Sequence, residues 1–424
     1  MKELTHLEKP KAISLHQLFS PFVMELLVIL FLVEFVKGAL LVTILPIYMG
    51  TVLGLSAFAI GWAFSLQYIG DNLFRSPLGW IIERVGYRIC MLMGLIVTFV
   101  AVGIIAITSQ LYFIILACLL LGIGTSPLWP CVVTGATQVA GQEKQGTVLS
   151  VVYVAWLSGT GVGPVVINFF VKHSYAPAFR FLLLCMALVT IVALFLPGRK
   201  QTEELHRSEK EDSAETKLSM GNLSQKIKAT LHEVRKNLHV SWWFYVALFL
   251  QNFSIGLLTP VITLYARTVI GLNPTQYSIL LIIGGGITVV ALIPMGRWVD
   301  KMGTKWFLHI GFGLTAATLF VFATTRSMLF IYILVCMLGV GYALIIPAWN
   351  AFIASVIPKS ERGAIWGFFL TLEGSGMVVG PIVSGRLWDM IGSHAPFYGS
   401  ALGLLALFCI HWYISSRPRV TAAS

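Results

Sequence analysis

The chain has 424 residues, of which 57% are hydrophobic and only 11% charged, against about 25% charged in soluble domains. That composition excludes a soluble globular protein, and the absence of alternating polarity excludes a membrane β-barrel. A formal net charge of +11 would suit nucleic acid, but the basic residues sit in turns between apolar runs, so no nucleic-acid partner is expected and the charge reads as membrane topology.

A membrane helix needs about 20 apolar residues. Runs of that size predict about twelve spans, at 22–49, 55–81, 88–108, 111–136, 147–171, 177–197, 241–266, 275–299, 305–324, 327–355, 363–387 and 395–416. All must be helical, because lipid offers no partners for open backbone groups. Residues 1–21 mix Lys2, Lys9 and Lys11 with Glu3 and Glu8, and the apolar run behind them is too long for a signal core, so a cytoplasmic tail is expected. Basic residues also crowd the turns 82–88, 297–305 and 359–362, the central loop, and the tail 417–424 with Arg417 and Arg419. This positive-inside pattern puts both termini in the cytoplasm, although Lys172, Arg180, Arg267 and Arg326 fall on the other side.

Spans one and two hold an unusual density of charge. Glu34 and Lys37 lie one turn apart in the first, and Asp71 and Arg75 form an i,i+4 pair in the second, beside Gln67 and Asn72. Charge inside a span is costly and marks a cavity or a partner. Two roles are open: neutralised pairs that lock the helices, or a titrating Glu34 or Asp71 that couples proton movement to transport. Span four brings Trp129, and span five brings Trp156 followed by Gly159-x-x-x-Gly163-Pro164. Small residues at that spacing let helix backbones approach, and proline supplies a pivot.

The stretch 198–240 is the longest polar segment. Arg199 to Lys217 reads as a flexible linker, whereas Leu223, Ile227, Leu231, Val234 and Leu238 recur at helical spacing and predict an amphipathic surface helix. It separates an N-terminal bundle, 22–197, from a C-terminal bundle, 241–416. The second bundle repeats the first at a constant offset of 217 residues. Gly79-Trp-Ile-Ile-Glu83-Arg84-Val-Gly86-Tyr-Arg88 returns as Gly296-Arg-Trp-Val-Asp300-Lys301-Met-Gly303-Thr-Lys305. Gly159, Gly163 and Pro164 return as Gly376, Gly380 and Pro381, and Trp156 falls in register with Glu373. A repeat this long is a duplicated domain, the mark of a two-part transporter.

The glycine–acid–base turn after spans two and eight resembles the signature loop of the major facilitator superfamily (MFS). The resemblance implies two six-helix bundles around a central cavity that rock to open each side in turn. In it, Glu83 with Arg84 or Arg88, and Asp300 with Lys301 and Lys305, would form conformational latches, and Gly79, Gly86, Gly296 and Gly303 would permit the reversal. The span-five motif resembles that of exporters, but its usual closing Gly-Gly is Ile167-Asn168 here. The arginine often found in span four of proton-driven exporters is Cys118.

A narrower resemblance lies in Ile29-Leu-Phe-Leu-Val-Glu34-Phe-x-Lys37-Gly38, Ser126-Pro-Leu-Trp129, Val152-Tyr153-x-x-Trp156 and Ile346-Pro-Ala-Trp349-Asn350. Together these are similar to the glycolipid flippases of Gram-positive bacteria, which move the lipoteichoic-acid anchor across the membrane. That group would assign Glu34, Lys37, Asp71, Trp129 and Trp156 to a polar cavity for the sugar headgroup. Lys37 stands where the group commonly has arginine, a point charge in place of a bidentate fork. Gln67 and Asn72 would serve sugar hydroxyls, and Glu373 is either a second titratable group or a buried acid bonded within its own bundle.

The expected protein is therefore an all-α, monomeric, multi-pass carrier in the cell membrane, using no cofactor beyond a coupling ion, which carboxylates suggest is a proton. Its substrate would be an amphipathic lipid or small molecule, with drug or metabolite efflux as the alternative. No H-E-x-x-H, phosphate loop or C-x-x-C is present, so neither an enzyme nor a metal or disulfide framework is expected.

Overall fold

Long apolar runs have one way to satisfy their backbone inside lipid, and the fold follows it. A computed structural model of the protein describes residues 20–140, 145–171, 174–198, 241–356 and 362–416, apart from the side chains of 74–81, 83–84, 138–140, 145–147 and 362–367. The tails and the linker helix at 223–238 lie outside the described residues.

The first half has six helical spans. α1 runs over Pro21–Val52, opening on Pro21 with the Ser20 hydroxyl accepting from Val23 N at 3.4 Å. It widens into π-helix at Ala39–Ile44 and Tyr48–Val52. α2 is Ala57–Val85, α3 Tyr87–Ile107, α5 Gln145–Ile167 and α6 Ala176–Ala193. α4 comes in two segments, Leu111–Thr125 and Leu128–Ala140, broken where Pro127 removes a backbone donor. The second half repeats this with α7 (Trp242–Gly256, extended by Ile262–Leu264 and a π turn Tyr265–Val269), α8 (Pro274–Met302), α9 (Lys305–Thr324), α10 (Met328–Val356), α11 (Arg362–Met390) and α12 (Ala395–Ser416). Among the described residues, ten of these spans are long and apolar enough to cross a membrane on their own. The other two are α2, which carries Gln67, Asp71 and Asn72, and α7, which is only 15 residues before its turn.

Packing repeats with the sequence. α1 lies on α5 and α2 on α4, as α7 lies on α11 and α8 on α10. The glycines explain why these pairs come so close. A Cβ on Gly70 would fall 2.8 Å from Ile123 N of α4, and one on Gly339 would fall 2.7 Å from Gly284 O of α8. Gly159 and Gly163 set α5 against the Phe31 and Phe35 carbonyls of α1, and Gly376 and Gly380 set α11 against α7. Each half has its own apolar core, from Val23 to Leu196 and from Phe244 to Leu407, with Leu264 crossing into the first and Trp388 packed on both.

The halves meet mainly through α2 on α11 and α5 on α8. Their described hydrogen bonds gather toward the end of the molecule opposite the termini. Thr263 donates its hydroxyl proton to the Val42 carbonyl, Asn168 Nδ2 donates to Ser278 Oγ at 3.0 Å, and Ser65 Oγ donates to the Val378 carbonyl at 2.6 Å. A guanidinium sits in the same closed end: Arg267, beside Tyr175 and Tyr277, whose Nη1 is buried without a hydrogen-bond partner.

Candidate transport site

The polar residues of α1 and α2 converge. Lys37 Nζ stands 3.8 Å from Glu34 Oε1 on its own helix and 3.8 Å from Asp71 Oδ2 on α2. Both acids are buried, at 7% and 6% exposure. At such a separation a pair attracts by roughly 4 kcal/mol for an effective dielectric near 20. That is comparable to the ~3 kcal/mol needed to place one charge at the bilayer centre, so the contacts with Lys37 offset much of the cost of burying the two acids. The sequence pairs Asp71 with Arg75, whose side chain lies outside the described residues; Asp71 also stands beside a lysine 34 positions earlier.

A hydroxyl ties this cluster to α5. Thr160 Oγ1 lies 3.3 Å from Glu34 Oε2 and donates to the Trp156 carbonyl at 2.9 Å. A hydroxyl has one proton. Thr160 shares that proton between Glu34 Oε2 and the Trp156 carbonyl. Gly38 makes the approach possible, since a Cβ there would sit 2.7 Å from the Thr160 carbonyl. One turn away, Trp156, Trp129 and Tyr153 form an edge-to-face trio. The centroids are 6.2 Å apart for Trp129–Trp156, 5.2 Å for Trp129–Tyr153 and 6.3 Å for Tyr153–Trp156. Tyr153 remains 46% exposed.

Gln67, one turn before Asp71, is fully buried, and neither its Nε2 nor its Oε1 has a hydrogen-bond partner. An orphaned amide costs about 1–3 kcal/mol, which a ligand hydroxyl would recover. Asn72 donates to the Tyr68 carbonyl at 2.8 Å and rests against Gly374 of α11, where a Cβ would fall 2.7 Å from its Oδ1. That contact sets Glu373 level with Asp71 across the two halves. Glu373 accepts from Trp349 Nε1 at 2.8 Å. That bond lies within its own bundle, between α10 and α11.

Around this centre the remaining predicted residues divide. Gly86 and Gly303 take φ of 84° and 81° where α2 and α8 end, a conformation glycine alone adopts freely. The side chains of Glu83 and Arg84, and the contacts of Gly79, lie outside the described residues. Arg88, Asp300, Lys301 and Lys305 are exposed, and among the described residues no ion pair joins them. Gly296 touches the Pro347 Cβ at 3.9 Å. Pro164 and Pro381 lie inside α5 and α11, and the Pro164 carbonyl accepts from Thr43 Oγ1 at 3.2 Å and Asn168 Nδ2 at 3.0 Å. Thr160 and Tyr153 were not singled out as site residues from sequence. A threonine and a tyrosine in apolar helices carry no periodic signal, though both flank Trp156 at helical spacing.

Two bundles joined by α2, α5, α8 and α11, with charge buried between α1 and α2, define a secondary transporter. The sequence matches the Major Facilitator Superfamily over residues 26–290 and again over 244–424. The chain belongs to that family, and it is a multi-pass membrane transporter. Among its relatives, the proton-coupled antiporter flippase LtaA of Staphylococcus saprophyticus is 26% identical over 90% of this chain and 91% of its own. The protein of the same name from Staphylococcus epidermidis is 25% identical over 94% and 96%. Of solved structures, the nucleoside transporter NupG superposes with a TM-score of 0.72 at 14% identity, covering 94% of this chain and all of its own. The xylose transporter XylE of E. coli does so at 0.69 and 16%, covering 95% and 98%. These two likenesses establish the fold.

Proposed function

We propose that the protein is a proton-coupled carrier, not an enzyme, that flips an amphipathic glycolipid across the cell membrane, working as a monomer with both termini cytoplasmic. The observation that carries this reading is the sharing of Lys37 between Glu34 and Asp71, linked through Thr160 to the Trp156 trio. A carboxylate that meets a dry cavity in one conformation and water in another can take up and release a proton as the carrier alternates. Thr160, which donates to Glu34, ties α1 to α5 at this cluster. Aromatic edges and faces at Trp129, Tyr153 and Trp156 suit the C–H faces of a sugar, while the orphaned Gln67 amide suits its hydroxyls. The second half has Glu373 as its described buried acid, already bonded, and otherwise offers apolar helix surface suited to acyl chains. The similarity to flippases named for proton-coupled antiport supports the same reading.

Reconstitution into liposomes containing a fluorescent diglucosyl lipid tests it. Wild-type protein moves the lipid between leaflets faster under an imposed pH gradient, and Glu34→Gln and Asp71→Asn do not. Extrusion of hydrophobic dyes without movement of any glycolipid would turn the assignment to drug efflux.

A further inference from the structure

The two halves begin their second helices differently, although the residues stand in register at the offset of 217. α8 caps itself. Asn273 Oδ1 accepts from Gln276 N at 2.8 Å, Gln276 Oε1 accepts from Asn273 N at 3.0 Å, and Pro274 at the first position has no N–H to satisfy. α2 does not. Its own Ser56 hydroxyl accepts from Ala59 N at 3.2 Å, which leaves the amides of Ala57 and Phe58. Both donate to one side chain of the other half: Ala57 N to Asp389 Oδ1 at 3.1 Å and Phe58 N to Asp389 Oδ2 at 2.9 Å. The residue in register with Asp389 is Lys172, which carries the opposite charge, so the device exists once.

We propose that Asp389 is a positioning residue for alternating access: it latches shut the end of the molecule opposite the termini, and transport requires its release from α2. A carboxylate at a helix N-terminus meets both orphan donors and the positive end of the helix dipole. Here that favourable contact exists only while the halves are together. The surroundings reinforce it. Arg386, one turn earlier on α11, places its guanidinium 5.6 Å from the centroid of the Phe58 ring. A Cβ at Gly385 would fall 2.6 Å from the Phe58 Cα, so α11 reaches the start of α2 only because that residue is glycine. When this end opens, Ala57 and Phe58 must exchange the carboxylate for water. The latch therefore weights the equilibrium toward the closed form without blocking the change. It acts whatever the substrate is.

Spin labels at positions 52 and 269, in exposed Val52 of α1 and Val269 beyond α7, on full-length protein with its native cysteines replaced, report the width of this end by pulsed electron resonance. Asp389→Ala is expected to raise the ratio of open to closed distances by about 2- to 30-fold, the range a lost helix cap implies. Asp389→Asn, which keeps the shape but not the charge, should shift it part of the way, and it carries the test if the alanine variant does not fold. Ser56→Ala removes a cap wholly within the first half and should leave the ratio unchanged. Unchanged distances in both Asp389 variants, or an equal shift in Ser56→Ala, would overturn the proposal.

Discussion

The two halves share a scaffold and differ in what they bury. The first half holds Glu34, Lys37 and Asp71, and their register mates in the second are Gln251, Ser254 and Thr288. Thr288 donates to the Gly284 and Gly339 carbonyls at 2.9 and 3.1 Å, so where the first half places a charge the second completes a helix contact. At the remaining site, Trp156 against Glu373, the second half has the acid, sealed by Trp349. The shared glycines set how close the helices come; the unshared polar residues set what happens between them. The two acids with their lysine lie in the first half, and the close-packing glycines lie in both.

The largest effect should come from emptying the first half of its acids. Glu34→Gln and Asp71→Asn should each abolish the acceleration by a pH gradient, leaving lipid movement at the rate of facilitated exchange without a gradient. Next comes the lysine. Lys37→Gln removes a cation that stands beside two buried acids, and both transport and thermal stability in detergent should fall. Lys37→Arg keeps the charge and should retain most transport, which separates a requirement for charge from a requirement for shape.

A smaller change is expected at the aromatic trio. Trp156→Ala removes two edge-to-face contacts, each worth about 0.5–1.5 kcal/mol, and should weaken apparent substrate affinity without altering the dependence on pH. The smallest effect on transport should come from the second half. Trp349→Phe deprives buried Glu373 of its donor, a loss of about 1–3 kcal/mol, so the melting temperature drops while transport stays near wild type. Loss of coupling in Trp349→Phe would erase the contrast between the halves.

The architecture was legible in the sequence because its two signals, apolar runs of fixed length and a repeat at fixed offset, survive without knowledge of contacts. The acids were legible as well, since charge in a span stands out. So was the Glu34–Lys37 pair, one turn apart on one helix. The Lys37–Asp71 contact was not, because a spacing rule reads along one helix and that contact crosses between two. The Thr160 bond and the cap at Asp389 escaped for the same reason: each joins helices far apart in sequence, and Asp389 resembles any acid near a membrane surface until α2 is seen to begin beneath it.

The central claim is that proton coupling resides in the first half alone. Its most direct measurement is the pH change inside sealed proteoliposomes, read by an entrapped indicator as glycolipid is supplied to one leaflet. Proton movement that accompanies lipid in wild type and Trp349→Phe, and vanishes in Glu34→Gln and Asp71→Asn, is the predicted result. Proton movement that persists in both acid variants, or that is lost in Trp349→Phe, would contradict it.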